Sequence, residues 1–176
     1  MTSDDFFNMC FIETIGEEGG FSADPDDPGN WTGGSIGLGA CRGTKFGISA
    51  ASYPALDIAS LSLEDAKAIY ARDYWAPIQG DKLPPALAMI VFDAAVNAGV
   101  GTAIRWLQGV LGVAQDGIIG PLTLAAVSRA SEKLKTLCAE FQTARLVALP
   151  PDPRFLQGWR LRLFRITLAA GMVMKC

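Results

Sequence analysis

The chain of 176 residues contains no histidine. This absence excludes Ser-His-Asp and Cys-His catalytic arrangements, together with every acid–base mechanism that depends on an imidazole. Proton transfer near neutral pH must then be carried out by carboxylates, tyrosine, lysine or a thiol. A pair of carboxylates is the usual solution in glycoside hydrolysis, so this reaction class remains open.

Cysteine is sparse and scattered. The four cysteines form no CxxC pair and stand at positions 10, 41, 138 and 176. A zinc site is therefore not expected. The nucleotide-binding patterns GxxxxGK[ST] and GxGxxG are also missing. We expect no metal and no other cofactor, and no nucleic acid among the partners.

An export signal and a long hydrophobic run are missing as well. The chain starts MTSDDFF, without a basic region followed by an apolar one, and its nearest apolar run, at 166–174, is too short to span a membrane. Scattered thiols are typical of proteins made in a reducing cytoplasm. We therefore expect a cytoplasmic protein that needs outside help to cross a membrane.

The net charge of −3 conceals an uneven distribution. Residues 129–176 carry nine bases and three acids, and the segment from Arg154 onward carries five bases and no acid. Such a segment is able to bind an anionic wall polymer or a membrane surface. It is equally consistent with a core helix that has a solvated basic face. Both interpretations stay open.

Apolar spacing predicts a mainly α-helical chain. Phe6, Phe7, Cys10 and Phe11 have helical spacing behind a Ser3 cap, which indicates a helix over 4–17. Residues 19–48 are rich in Gly, Pro, Asp and Asn, which favours a long irregular loop or a short hairpin. Later helices are predicted from four start signals: Ser62 with Asp65, Pro84-Pro85, Gly120-Pro121 and Ser131.

Glu18 is the first candidate for catalysis. It follows the first predicted helix and precedes Gly19-Gly20, whose lack of side chains lets a bulky polymer approach the backbone. A general acid needs a raised pKa, which partial burial beside an apolar side chain such as Phe21 would supply. The alternative is a solvated helix end without function.

A second carboxylate is available shortly afterwards. The run from Asp24 to Gly29 contains three candidates, Asp24, Asp26 and Asp27. Both the inverting and the retaining mechanism of glycoside hydrolysis use such a second carboxylate. Asp-Pro and Pro-Gly are also ordinary turn sequences, so the run is equally consistent with a plain turn.

Several stretches together resemble glycoside hydrolase family 108, the N-acetylmuramidases of phage endolysins and of secretion-associated muramidases. The stretches are EEGGFSADPDDPGNW, GTKFGIS and AKAIYARDYW, in this order. The second half, with FDAAVNAGVGTAIRWLQGVLGVAQDGIIGPLTLAAV and FLQGWRLRL, is similar to the peptidoglycan-binding region that accompanies this family. The resemblance implies a catalytic region at 1–85 and a binding region at 86–176 within one compact globular unit. It also implies a lysozyme-like helical fold with a long irregular loop or small β-hairpin at the active site.

The resemblance assigns the catalytic role to Glu18. By analogy with the wider lysozyme superfamily, Asp27 would hold or deprotonate the water or stabilise the transition state, and Thr44 would orient it by a hydrogen bond. Residues 30–42 stand as an insertion that stretches the spacing to Thr44.

Four further residues are candidates for substrate binding. Tyr74 and Trp75 suit the apolar faces of sugars, although a core role is also open. Asp93 and Asn97, four apart on one helical face, would hydrogen-bond the glycan or satisfy buried backbone groups.

The implied function is hydrolysis of the β-1,4 bond between N-acetylmuramic acid and N-acetylglucosamine in bacterial peptidoglycan. We expect a monomeric phage or prophage endolysin that accumulates in the host cytoplasm and reaches the wall through a holin or a similar lesion. Three alternatives remain: a secretion-associated muramidase, a lytic transglycosylase and a non-catalytic wall-binding module.

Overall fold

The computed structural model describes residues 2–16, 20–149 and 152–174. These residues are mainly helical and include one two-stranded antiparallel sheet, which confirms the expected helical fold with a small hairpin. The helices are α1 (Ser3–Ile15), α2 (Leu63–Tyr70), α3 (Pro85–Ala98), α4 (Val100–Leu111), α5 (Pro121–Ala130), α6 (Leu134–Val147) and α7 (Pro153–Val173), and the strands are β1 (Thr44–Lys45) and β2 (Ile48–Ser49).

The start signal of α2 is confirmed in detail. The backbone N–H of Ser62 donates to Asp65 Oδ2 at 3.0 Å, and the N–H of Asp65 donates to Ser62 Oγ at 3.1 Å. This reciprocal pair satisfies two amide groups that no helical carbonyl reaches.

Two other predicted caps are wrong. Thr2, rather than Ser3, exchanges such hydrogen bonds with Asp5 at the start of α1. Ser131 begins a short 3-10 helix ahead of α6 and donates its hydroxyl to Ser128 O at 2.6 Å. A sequence pattern locates helix ends only to within one or two residues.

The chain divides into two units. We call Met1–Thr14 together with Ala71–Cys176 the helical unit, and Ile15–Tyr70 the hairpin unit. The first helix packs with residues that follow position 70. The ring of Phe7 lies 5.4 Å from that of Trp75 and 5.9 Å from that of Phe92.

Helix α3 is the centre of the helical unit. Every residue from Ala86 to Ala95 is buried, and α4, α6 and α7 pack around the helix. A helix that is apolar on all sides is expected in such a central position. The run contains one charged residue, Asp93.

The basic C-terminal segment forms α7. Its Leu163, Ile166 and Ala170 are buried, so this helix is part of the core of the helical unit. Within the described residues, no helix is long and apolar enough to cross a membrane.

The buried thiols have altered acidity. Burial raises the pKa of Cys10 and of Cys138 to about 12, so both remain protonated at physiological pH and are poor nucleophiles. Both are unpaired, as is the exposed Cys41, and Cys176 lies outside the described residues.

The hairpin unit contains a tight turn between β1 and β2. Phe46 and Gly47 both have positive φ values, 50° and 73°, the combination found in two-residue hairpin turns. The hydroxyl of Tyr70 donates to Phe46 O at 3.0 Å. A Cβ atom at position 47 would lie 2.6 Å from this hydroxyl oxygen. Gly47 is therefore required both by its dihedral angle and by the packing of Tyr70.

We predict that Gly47→Ala lowers the free energy of unfolding more than Gly34→Ala does. Gly34 has a similar φ of 72°, but a Cβ there would meet no atom within 4 Å. The control therefore suffers only the left-handed strain, about 1–2 kcal/mol, whereas Gly47→Ala must also displace Tyr70. Urea unfolding of both variants measures the difference. Equal losses would show that the Tyr70 contact contributes nothing.

Candidate active site

The segment after the E-G-G motif is anchored to the hairpin. Glu18 lies outside the described residues, as do Glu17 and Gly19. Ser22 forms an antiparallel bridge with Thr44, with N–H···O distances of 2.9 and 2.8 Å in the two directions. The chain that leads away from the motif is therefore held beside β1.

The three candidate aspartates are all exposed but differ in their hydrogen bonds. Asp24 Oδ1 accepts from Asp26 N at 3.0 Å, and Asp27 Oδ1 accepts from Gly29 N at 2.8 Å. The carboxylate of Asp26 accepts no hydrogen bond from any described residue. Asp27 caps the short 3-10 helix Pro28–Asn30, which fixes one of its oxygens and leaves the other open.

Asn30 is the central residue of this loop, and the sequence analysis missed its role. It is fully buried, and its Nδ2 donates to Asp24 O at 2.9 Å. Its backbone carbonyl accepts from the N–H groups of Arg42 and Gly43 at 2.8 and 3.1 Å. Asn30 therefore joins the D-P-G loop to the chain just before β1. The only sequence signal for this role is that Asn30 directly follows the D-P-G turn. The sequence analysis places Asn30 in the insertion at 30–42 instead.

Thr44 is held by Asn30 rather than by Asp27. The Thr44 hydroxyl donates to Asn30 Oδ1 at 2.7 Å. The direction is determined because the amide nitrogen of Asn30 is already used on Asp24 O. Thr44 Oγ1 is thus left with its lone pairs, which can accept a hydrogen bond from a water or a substrate hydroxyl.

The two ends of the insertion at 30–42 are joined by backbone hydrogen bonds. Thr32 N donates to Ala40 O at 3.0 Å, Gly33 N donates to Leu38 O at 3.0 Å, and Trp31 bridges Cys41. Its two ends therefore come together, which explains how Thr44 reaches Asn30 despite the stretched spacing.

We predict that Thr44→Val reduces peptidoglycan cleavage at least about tenfold, while Thr44→Ser retains most of it. Valine has the same shape but no oxygen to accept a hydrogen bond, and it leaves Asn30 Oδ1 without its donor, which costs about 1–3 kcal/mol of stability. Initial rates and urea unfolding are measured for both variants. A Thr44→Val enzyme with normal rates would exclude Thr44 from the reaction.

The four substrate-binding candidates lie in the helical unit. Trp75 is 5% exposed, and its Nε1 donates to Asp81 Oδ1 at 3.0 Å, so it occupies the core position that the sequence had left open. Tyr74 is partly exposed and Asn97 is exposed. Asp93 is fully buried.

Two arginines form ion pairs with Asp93. Arg145 Nη2 of α6 lies 2.6 Å from Asp93 Oδ2, and Arg162 Nε of α7 lies 2.9 Å from Asp93 Oδ1. Burial lowers the pKa of Arg145, and the charge of Asp93 opposes this effect. A buried carboxylate needs such partners. They were missed because they are 52 and 69 residues away in the sequence.

Gln108 organises the D-G-I-I-G-P stretch. Its Nε2 donates to Asp116 Oδ1 at 2.7 Å and to Ile118 O at 3.0 Å, and its Oε1 accepts from Gly117 N at 2.9 Å. The hydrogen bond from Gln108 is the main cause of a lowered pKa at Asp116. These contacts hold the turn that precedes α5.

Within the described ranges, no group of three or more Cys, Asp or Glu side chains is placed to hold a metal ion. The chemistry that the described loop offers is that of carboxylates, a hydroxyl and an amide. Carboxylates are the groups that glycoside hydrolysis uses, so this chemistry defines a candidate glycoside hydrolase.

Comparison with known proteins agrees with this class. The model of the family Glycosyl hydrolase 108 matches residues 11–99, and that of the Predicted Peptidoglycan domain matches residues 102–164. The chain therefore belongs to the glycosyl hydrolase 108 family, and it is a glycoside hydrolase that acts on peptidoglycan. The structure of SagA from Brucella abortus is similar, with 29% identity, 97% of each chain covered and a TM-score of 0.77. No curated protein matches the chain.

Proposed function

We propose that the protein is an N-acetylmuramidase that hydrolyses the β-1,4 bond between N-acetylmuramic acid and N-acetylglucosamine, with Glu18 as the general acid. One observation carries the proposal: the region matched to Glycosyl hydrolase 108 contains the E-G-G, D-P-x-D-P-G and G-T-K-F-G-I elements in order. Glu18 is the glutamate of E-G-G that precedes this loop. Protonation of the glycosidic oxygen by Glu18 would release the leaving sugar.

We assign the role of catalytic partner to Asp27, which the superfamily analogy selects and whose carboxylate caps the 3-10 helix Pro28–Asn30. Gly29 N fixes one carboxylate oxygen of Asp27, so the other has a defined direction in which to accept a proton from water. Thr44 Oγ1 would accept a hydrogen bond from the second O–H of this water, since its own O–H donates to Asn30 Oδ1. The water lone pair is then free to attack the anomeric carbon, while one proton passes to Asp27 and Glu18 has given its proton to the leaving oxygen.

Substitution of the three aspartates one at a time tests this assignment. Asp27→Asn should lose about 10² or more in rate, and Asp26→Asn should retain nearly full activity. Asp24→Asn serves as the structural control, because it also accepts a backbone N–H in the loop. A large loss in Asp26→Asn with an active Asp27→Asn would transfer the role to Asp26.

The reaction itself is tested by the products. Purified peptidoglycan is digested, and the muropeptides are analysed by mass spectrometry with and without borohydride reduction. Reducing N-acetylmuramic acid ends support the muramidase. Reducing N-acetylglucosamine ends would assign the other β-1,4 bond, and anhydro ends would show a lytic transglycosylase. Binding without any cleavage would favour a wall-binding module.

The biological role that we propose is that of a phage or prophage endolysin held in the host cytoplasm until a membrane lesion opens. The unpaired, buried Cys10 and Cys138 support synthesis in a reducing compartment. Expression in bacteria should lyse the cells only when a holin is produced as well. Lysis without a holin would contradict the proposal, and a secretion-associated muramidase would become the better account.

Helix α7 supports an anionic lipid surface as a further partner. Its exposed side carries a stripe of large apolar side chains beside the exposed Arg160 and Arg165, the stripe being Leu161, Phe164, Leu168 and Met172. Apolar and basic side chains together suit a membrane interface better than a purely polar wall polymer. Cosedimentation with phosphatidylglycerol vesicles, but not with phosphatidylcholine vesicles, is expected, and Phe164→Glu should weaken it.

A further inference from the structure

A pocket in the helical unit lies over the Asp93 ion network. Its volume is about 330 Å³, and its lining includes Asn97, Trp106, Arg145, Trp159 and Arg162. This volume is at the small end of the range of ligand sites, about 300–1,000 Å³. It is suited to one small group rather than to an oligosaccharide.

The base of the pocket carries a net positive charge. Asp93, itself fully buried, is shared by the guanidinium groups of Arg145 and Arg162, so within the described residues one positive charge is left without a counter-charge. The lining residues that the structure describes include no carboxylate. Electrostatics therefore favour an anionic ligand.

Arg162 has a donor left for this ligand. Its Nε is used on Asp93 Oδ1 and its Nη2 on Thr14 O at 2.8 Å, whereas Nη1 meets no acceptor within the described part of the chain. The side chain is 27% exposed, so it can reach a bound molecule. Guanidinium donors bind carboxylates with strong, charge-assisted hydrogen bonds.

Asn97 offers a hydrogen-bond acceptor. Its Nδ2 donates to Asp93 O at 2.6 Å, which leaves Oδ1 as an acceptor for an N–H of the ligand. Trp106 and Trp159 provide indole surface for an apolar side chain. The pocket thus combines a carboxylate site, an amide acceptor and an apolar wall.

We propose that this pocket binds an N-acyl amino acid through its free carboxylate, and that the natural ligand is the carboxyl end of a peptide stem of peptidoglycan. The identification of the stem rests on the proposed function, since peptidoglycan is the polymer in which amidated amino acids are joined to the glycan. A neutral amino sugar is disfavoured because it leaves the positive charge without a partner.

The test measures binding of N-acetyl-D-alanine to Glu18→Gln protein by the indole N–H signals in NMR spectra. We expect the signals of Trp106 and Trp159 to shift, while those of Trp31 and Trp75 stay in place. The carboxamide of the same probe should bind at least about tenfold more weakly, and so should the acid to Arg162→Gln, since each change removes a charge-assisted hydrogen bond. Asn97→Ala provides a second variant at an exposed position and should weaken binding several-fold.

Equal binding of acid and carboxamide would overturn the proposal. Tighter binding of N-acetylglucosamine at the same two indoles would also overturn it, as would the absence of any shift. The readout is independent of cleavage. If the wild-type enzyme cuts peptidoglycan but does not bind the probe, the proposed ligand of the pocket is wrong and the proposed hydrolysis stands. Probe binding by a protein that cuts nothing refutes the proposed hydrolysis and leaves the pocket in place.

Discussion

Glu18→Gln is expected to lower the rate of peptidoglycan cleavage at least about a hundredfold, which is the size of effect that loss of a general acid produces. Glutamine keeps the shape of the side chain but has no proton to give to the glycosidic oxygen. Release of reducing ends from purified peptidoglycan measures the rate. Binding to the same insoluble peptidoglycan, measured by cosedimentation, should remain, because binding does not require the proton.

Glu17→Gln is the matched control. It makes the same chemical change one position earlier, at a glutamate that the family motif does not select. We expect it to keep nearly full activity. If Glu17→Gln were inactive and Glu18→Gln active, the motif would have been aligned one residue out of place. If both variants cleaved normally, the acid would have to be sought elsewhere in the chain.

Loss of Arg145 is expected to cause the largest change in stability. In Arg145→Gln the fully buried Asp93 keeps only the partly exposed Arg162 as its ionic partner. Removal of one partner from a buried ion pair costs about 3–5 kcal/mol, since the remaining charge is left in a poorly solvated place. Urea unfolding should therefore show a much lower midpoint with an unchanged slope.

Arg72→Gln is the comparison for this variant. Arg72 also pairs with an aspartate, Asp73, at 2.6 Å, but its side chain is 67% exposed. Exposed pairs contribute about 0–1 kcal/mol, so the variant should unfold almost like the wild type. Similar losses in both variants would mean that burial does not control the strength of the Asp93 network.

Local elements could be predicted where neighbouring residues determine them. The Ser62–Asp65 start of α2 depends on side chains three residues apart and was predicted correctly. A short hairpin within 19–48 was one of two options, and Phe46-Gly47 forms it because glycine tolerates a positive φ. Helix starts were less certain, as the wrong caps at Ser3 and Ser131 show.

The candidate site was predicted only in part, because its contacts join residues that are not neighbours in the sequence. Three aspartates stand in one turn, and only the folded loop separates Asp24 and Asp27, which each accept a backbone N–H, from Asp26, which accepts none from a described residue. Asn30 was assigned to an insertion because its partner Thr44 is fourteen residues away. The residues of the proposed carboxylate pocket come from α3, α4, α6 and α7, and no spacing in the sequence relates them.

The amino-acid sequence by itself determined the class of chemistry, the family and the helical character of this protein, because composition, contiguous motifs and apolar periodicity are local properties. The tertiary structure alone decided that α1 packs with the second half of the chain, that Asn30 holds Thr44, and that Asp93 lies between two distant arginines. Such contacts join residues far apart in the sequence. An unpaired charge or amide costs free energy once it is buried. The folded state therefore favours arrangements in which these distant residues pair.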